Sequence, residues 1–79
     1  MDQLMMVIAA LRELEGDNQV PKNVKGKITS TIQVLEQEGD MPIKVSRAMQ
    51  ELEQLTEDNN MQSYTRTQIF NIVSLLEVL

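Results

Sequence analysis

The 79-residue sequence contains no cysteine, no histidine and no tryptophan, and it has one tyrosine and one phenylalanine. Without cysteine or histidine, the chain cannot form a disulfide, the usual zinc or iron–sulfur site, or a nucleophile–histidine pair. With only 3% aromatic residues, it has too few rings to stack the bases of single-stranded nucleic acid. These absences exclude most of the catalytic and cofactor chemistry that small proteins carry out.

Positive charge is also scarce. Seven basic residues stand against twelve acidic ones, which gives a formal net charge of −5 at pH 7. This balance argues against a protein that coats phosphate backbones, so nucleic acid is an unlikely partner. The hydrophobic share of 42% and the charged share of 24% are typical of a folded globular protein. We expect a single domain over residues 1–79, with a small core.

No stretch resembles a membrane or export segment. The longest apolar run extends from Leu4 to Leu11, whereas a transmembrane helix needs about 20 residues. A secretory signal begins with basic residues, and here Asp2 precedes the run. We therefore predict a soluble, cytoplasmic protein with no membrane partner.

Apolar residues recur at helical spacing in four segments, and no segment alternates apolar and polar residues long enough for a strand. The predicted core stripes are Leu4, Val7, Ile8, Leu11 and Leu14; Val24, Ile28, Thr31, Ile32 and Leu35; Val45, Ala48, Met49, Leu52 and Leu55; and Ile69, Ile72, Val73, Leu76 and Leu79.

Turn formers separate these segments. We predict a C-cap glycine at Gly16 and breaks at Gly39-Asp40 and at 58–60. Pro21 and Pro42 open the second and third helices, since proline suits the first helical position. The fourth helix is predicted to begin near Gln62 or Ser63 and to run to the C-terminus.

The two halves of the chain align when one is shifted by 41 residues. The matched pairs are Leu4–Val45, Ile8–Met49, Leu11–Leu52, Leu14–Leu55, Asp17–Asp58, Asn18–Asn59, Val20–Met61, Lys25–Arg66, Ile28–Ile69, Ile32–Val73, Leu35–Leu76 and Glu36–Glu77. We interpret this as a duplicated helical hairpin. The alternative is that two unrelated hairpins have similar core and turn residues because every helical hairpin needs them. Two units are too few for a solenoid. The predicted fold is all-α, an antiparallel up-and-down four-helix bundle built from two hairpins.

Two stretches are distinctive: Val20-Pro21-Lys22-Asn23, which enters the second helix, and Thr65-Arg66-Thr67, which enters the fourth. In these motifs, and over nearly its whole length, the chain resembles uncharacterised protein family 0147, a family of small archaeal helical proteins. The resemblance implies a compact up-and-down helical bundle from an archaeal cytoplasm and implies no activity. Gly26 departs from the family pattern, in which more basic residues follow the Pro-basic-Asn motif.

The charges are arranged against the helix dipole. Acidic residues cluster in the last turns of the predicted helices, and six basic residues fall in the first two turns: Lys22, Lys25, Lys27, Lys44, Arg47 and Arg66. In antiparallel hairpins, the acidic end of one helix lies beside the basic start of the next, so we expect interhelical ion pairs to offset the dipole effect. We also expect a Ser63 or Thr65 hydroxyl to cap the fourth helix and Arg66 to pair with Asp17 or Asp58.

The alternative interpretation of the basic residues is an anion site. Helix N-termini present unbonded amides and a partial positive charge. Helices 2 and 4 of an up-and-down bundle start at the same end, so Lys22, Lys25 and Arg66 would converge there on phosphate, sulfate or an RNA backbone. No glycine-rich loop precedes either helix.

No constellation of residues points to catalysis. Paired catalytic carboxylates need to face one cleft, and here they fall on solvated faces and helix ends. A di-iron bundle would show Glu-x-x-His, and an EF-hand would show alternating acids followed by glycine. We predict no catalytic, cofactor-binding or metal-ligating residue, no small-molecule substrate, and hence no enzyme.

The remaining feature is apolar surface beyond the core stripes of helices 1 and 4, which are neighbours in an up-and-down bundle. We predict that it forms one interface, with candidate residues Met5, Met6, Ala9, Phe70, Leu75 and Val78. The partner would be a second copy, as a homodimer, or another protein. The predicted function is a non-enzymatic interaction or structural module, and the alternative is an anion- or nucleic-acid-associated accessory protein.

Overall fold

A computed structural model describes residues 2–58 and 60–79. Within these ranges the chain forms four α-helices and no strand: α1 (Gln3–Glu15), α2 (Lys22–Glu36), α3 (Met41–Leu55) and α4 (Ser63–Glu77). The all-α prediction and the four helical segments are confirmed. The predicted break at 58–60 includes Asn59, which lies outside the described residues.

The first three helices begin and end close to the predicted turn residues. Asp2 caps α1, because its carboxylate accepts a hydrogen bond from the Leu4 amide at 3.0 Å. Pro21 is the N-cap of α2 rather than its first helical residue, and Pro42 lies in the first turn of α3. Gly39 has a φ of 150°, a conformation that side chains disfavour, and it turns the chain between α2 and α3.

The predicted hydroxyl cap of α4 is wrong. The N-cap is Gln62, and its side chain makes no capping hydrogen bond. Thr65 is buried instead. It occupies the position that matches the buried Val24 in the first half, so its side chain is directed to the core rather than to the helix end.

The core contains residues from all four helices, and the buried residues follow the predicted stripes. Leu4, Ile8, Val45 and Met49 are half-buried and pack against its edge. Leu79 departs from the prediction, because α4 ends at Glu77 and Leu79 remains 40% exposed. Val20 and Met61, one in each of the two longer loops, are buried and close the core where those loops cross it.

Each helix contacts two others: α1 contacts α2 and α4, and α3 contacts α2 and α4. The 41-residue offset persists in the structure, since α2 and α4 both begin and end at matching positions. The loops also match. The Asp17 carboxylate accepts from the Gln19 amide at 2.9 Å, and the Asp58 carboxylate accepts from the Asn60 amide at 2.9 Å.

Candidate functional site

Arg66, one of the three predicted anion-binding residues, is directed to the end of α3. Its Nε donates to the Thr56 carbonyl at 3.1 Å, and its Nη2 donates to the Asp58 carbonyl at 2.8 Å. The last carbonyls of a helix have no N–H donor within the helix and carry its partial negative charge. The guanidinium therefore satisfies the end of α3 from the first turn of α4.

Lys44 makes the same kind of contact at the other end of α3. Its Nζ donates to the carbonyls of Leu35 at 3.2 Å and Gln37 at 2.7 Å, at the end of α2. The expectation of ion pairs between helix ends and the following helix starts is therefore corrected for these two bases. Their charge is stabilised by backbone carbonyls, which are fixed acceptors and need no ordering of a second long side chain.

One ion pair is present within residues 2–58 and 60–79: Arg12 Nη2 lies 2.8 Å from Glu36 Oε2, and both side chains are about half exposed. It joins α1 to α2 across the outside of the first hairpin. Arg12 is the one basic residue that does not lie at a helix start.

The other two candidate anion-binding residues lie at the start of α2, where Lys22 is exposed and Lys25 half-buried. This helix start adjoins the α3–α4 loop, because Asn23 Nδ2 donates to Asp58 Oδ2 at 2.9 Å. The predicted ion pair of Arg66 with Asp17 or Asp58 is wrong for the described residues, because Arg66 bonds to the backbone carbonyl of Asp58 and not to its carboxylate. The Asp58 carboxylate therefore lies beside the start of α2, at the end of the molecule where an anion was predicted to bind.

Three of the six predicted interface residues form a groove on the outer face of α1. This groove, called the α1 groove, has a volume of about 380 Å³ and is lined by Met5, Met6, Ala9, Ala10 and Glu13. Met5 is 65% exposed and Met6 44% exposed. Met5, Met6 and Ala9 are exposed, since α1 directs Val7, Leu11 and Leu14 to the core. Ala10 is half-buried and packs against the core.

A smaller depression between α1 and α4, the α1–α4 groove, has a volume of about 190 Å³ and includes Leu75. It shares Ala10 and Glu13 with the α1 groove, so the two are continuous. Phe70 and Val78 are exposed and lie outside both grooves. The structure therefore places Met5, Met6 and Ala9 in one groove and Leu75 in the groove that adjoins it. A single interface that also includes Phe70 and Val78 stays a prediction.

A third groove was not predicted from the sequence. This α3–α4 groove, of about 520 Å³, runs along most of α3 beside the end of α4 and is lined by Met41, Pro42, Val45, Ser46, Met49, Gln50, Glu53, Leu76, Glu77 and Leu79. Exposed Ile43 lies on the same first turn of α3. The sequence contains one indication of this groove: the apolar residues Met41-Pro42-Ile43 form the first turn of α3 but do not belong to its core stripe.

Within the described ranges, no three acidic side chains are grouped closely enough to hold a metal ion. None of the described helices has the length and apolar character needed to cross a membrane.

The sequence matches the family model "Uncharacterised protein family (UPF0147)" over residues 1–79. Similar proteins come from archaea. The UPF0147 protein of Sulfurisphaera tokodaii is 32% identical over 76 residues, which cover 95% of this chain and 85% of that protein. The UPF0147 protein MK1586 of Methanopyrus kandleri is 34% identical over 62 residues, which cover 77% of this chain and 60% of that protein.

Among solved structures, the crystal structure of the unknown function protein MMP1188 superposes on this chain with a TM-score of 0.93. The two sequences are 34% identical, and the match covers 99% of this chain and 90% of the other. The four-helix arrangement is therefore shared with an experimentally determined relative.

Proposed function

The chain belongs to the uncharacterised protein family UPF0147, and we propose that it is a non-enzymatic interaction module that pairs with a second copy of itself. The proposed contact is the α1 groove together with the adjoining α1–α4 groove. The observation that carries the proposal is the exposure of Met5 and Met6 on a helix whose other apolar face is already buried.

The architecture we propose is the antiparallel up-and-down bundle. Contacts between successive helices support it. Thr29 on α2 donates to the Glu15 carboxylate at the end of α1, and Lys44 at the start of α3 reaches the end of α2. Farther from the α2–α3 turn, the Thr31 hydroxyl on α2 lies 3.1 Å from Glu51 Oε2 on α3. Arg66 joins the start of α4 to the end of α3.

This arrangement places α1 next to α4 and leaves their outer sides for a partner. Pairing about a twofold axis would bury Met5, Met6, Ala9 and Leu75 in both copies, so each substitution counts twice. Burial of about 400 Å² of apolar surface per chain at about 25 cal/mol per Å² gives about 20 kcal/mol gross for the pair. Loss of association entropy and side-chain ordering offset most of this, which leaves a dissociation constant of about micromolar size.

The alternative function, binding of an anion or of nucleic acid through Lys22, Lys25 and Arg66, has less support. Two donors of Arg66 already bond to backbone carbonyls, and the Asp58 carboxylate lies at the same end of the molecule. A cytoplasmic location forms part of the proposal, and cell fractionation tests it.

Light scattering at tens of micromolar tests self-association. Met6→Glu introduces a charge into the α1 groove, and we expect it to shift the wild-type mass from dimer to monomer. Met41→Glu is the matched control, because it makes the same chemical change at an exposed methionine in the α3–α4 groove. A wild-type mass of 9.0 kDa, that of one chain, would contradict the proposal, as would equal effects of the two substitutions.

A further inference from the structure

The α3–α4 groove combines an apolar floor with two carboxylates. Met41, Val45, Met49 and Leu79 contribute apolar side chains. Glu53 on α3 and Glu77 on α4 line the same groove, and both are exposed. In the parts of the chain that the structure describes, the one salt bridge is Arg12–Glu36, so neither of these carboxylates is paired with a base.

The repeat shows what these two glutamates lack. Shifted by 41 residues, Arg12 falls on Glu53 and Glu36 falls on Glu77. In the first hairpin, this pair of positions holds opposite charges 2.8 Å apart, and the ion pair joins the two helices. In the second hairpin, the same positions hold two like charges beside an apolar groove. A cation supplied from outside the chain would restore between α3 and α4 the attraction that Arg12 supplies between α1 and α2.

The apolar floor indicates how that cation arrives. Met41 and Met49 are unbranched and flexible, and methionine-lined grooves adapt to the varied apolar faces of amphipathic helices. A bare cation would leave these side chains exposed, whereas a helix with an apolar face and a flanking lysine or arginine would cover them and reach both carboxylates. Charge complementarity with a chain of net charge −5 favours such a basic segment.

A second copy of this chain fits the groove less well. Pairing two α3–α4 grooves would bring Glu53 and Glu77 of both copies into one interface, which adds repulsion between like charges. The exposed lysines Lys22 and Lys27 lie on an outer face of α2 whose exposed residues are all polar or glycine, so that face offers no apolar side chains for the groove.

We propose that the α3–α4 groove binds an amphipathic helical segment of another protein, with its apolar face on Met41, Met49 and Leu79 and a lysine or arginine between Glu53 and Glu77. This site is separate from the proposed self-association surface on α1, so Met6→Glu should leave it intact. Failure of one proposal is therefore distinguishable from failure of the other.

The probe is a synthetic, fluorescein-labelled peptide of about 16 residues, long enough for about four helical turns. It carries leucines at i, i+3, i+4 and i+7 and lysines beside them. A matched peptide carries glutamate in place of each lysine. Fluorescence anisotropy should show binding of the lysine peptide to the full chain, weakening when salt is raised from about 50 to about 500 mM, and at least about tenfold weaker binding of the glutamate peptide.

Glu53→Arg is the decisive variant, because it reproduces in the second hairpin the ion pair of the first. We expect it to maintain or raise the melting temperature and to weaken binding of the lysine peptide about tenfold, since Glu77 is then paired and the groove gains a positive charge. Glu57→Arg is the control, since it makes the same charge change at an exposed glutamate outside the groove.

Equal affinities for the two variants, or for the two peptides, would overturn the proposal, and so would absence of binding. Sedimentation of the Glu53→Arg variant without peptide measures its oligomeric state and tests whether a second copy occupies the groove. If this substitution, unlike Glu57→Arg, dissociates a dimer of the wild type, then the occupant of the groove is a second copy and the proposal is wrong.

Discussion

Individual basic side chains stabilise this fold by satisfying helix ends. Arg66 and Lys44 each start a helix, where the dipole disfavours positive charge, but each reaches across to carbonyls that end the preceding helix. A positive charge that is unfavourable at the start of its own helix is therefore favourable beside the end of the preceding helix. Asp58 adds to this junction, since its carboxylate bonds to Asn23 and its carbonyl to Arg66.

Arg66→Ala removes two donors from partly buried carbonyls of Thr56 and Asp58. We expect it to lower the free energy of unfolding by about 1–3 kcal/mol, because hydrogen bonds to a charged group contribute about that much. Lys22→Ala is the matched comparison: Lys22 is exposed at the start of α2, and its substitution should change stability by less than about 0.5 kcal/mol. Urea denaturation monitored by circular dichroism measures both.

Added phosphate separates this role of Arg66 from anion binding. If the arginine acts only on the carbonyls, phosphate should raise the melting temperature equally in wild type and Arg66→Ala, as an excluded salt does. A rise that is larger in the wild type would instead support the anion site.

At the scale of whole elements, the two hairpins close with matching loops, and a different turn joins one hairpin to the other. The α1–α2 and α3–α4 loops share the aspartate that bonds two residues ahead, whereas the short α2–α3 connection turns at Gly39. The glycine inside α2, Gly26, does not have a positive φ, and a methyl group added there would meet no atom within 4 Å beyond its chain neighbours and the backbone of its own helix.

These two glycines predict opposite effects of the same substitution. Gly26→Ala should stabilise the protein by about 0.5–1 kcal/mol, because alanine favours a helix interior. Gly39→Ala should destabilise it by about 1–3 kcal/mol, because the φ of 150° is strained for any side chain. Thermal unfolding of both variants tests this pair, and a stabilising Gly39→Ala would show that the turn does not need its positive φ.

The sequence predicts helices and core well because burial follows helical periodicity, which is local: Leu11, Ile28, Leu52 and Ile69 are all fully buried as expected. The sequence does not predict features that depend on how the helices lie against one another. Thr65 looks like a cap but lies in the core, and the groove around Met41 exists only because α4 ends beside the first turns of α3. Neither feature can be predicted from the residues of one helix alone.

For the whole molecule, a small acidic protein keeps two separate apolar grooves at its surface, one on α1 and one between α3 and α4. Exposed methionines occur in both, and buried methionine is found at Met61. Hydrophobic contact is the main favourable term in protein association, so these two grooves are the surfaces that we propose for binding. The methionines that the structure describes therefore distinguish the parts of the molecule: Met5 and Met6 line the α1 groove, Met41 and Met49 line the α3–α4 groove, and Met61 lies in the core.

The most direct measurement is a ¹³C-methyl NMR spectrum of the methionines, recorded while the wild-type protein is diluted from about 1 mM to about 10 μM, a range that spans the expected micromolar dissociation constant. We predict that the Met5 and Met6 methyl signals move with dilution, while those of Met41, Met49 and Met61 stay in place. Stationary Met5 and Met6 signals across this range, or movement confined to Met41 and Met49, would contradict self-association through α1.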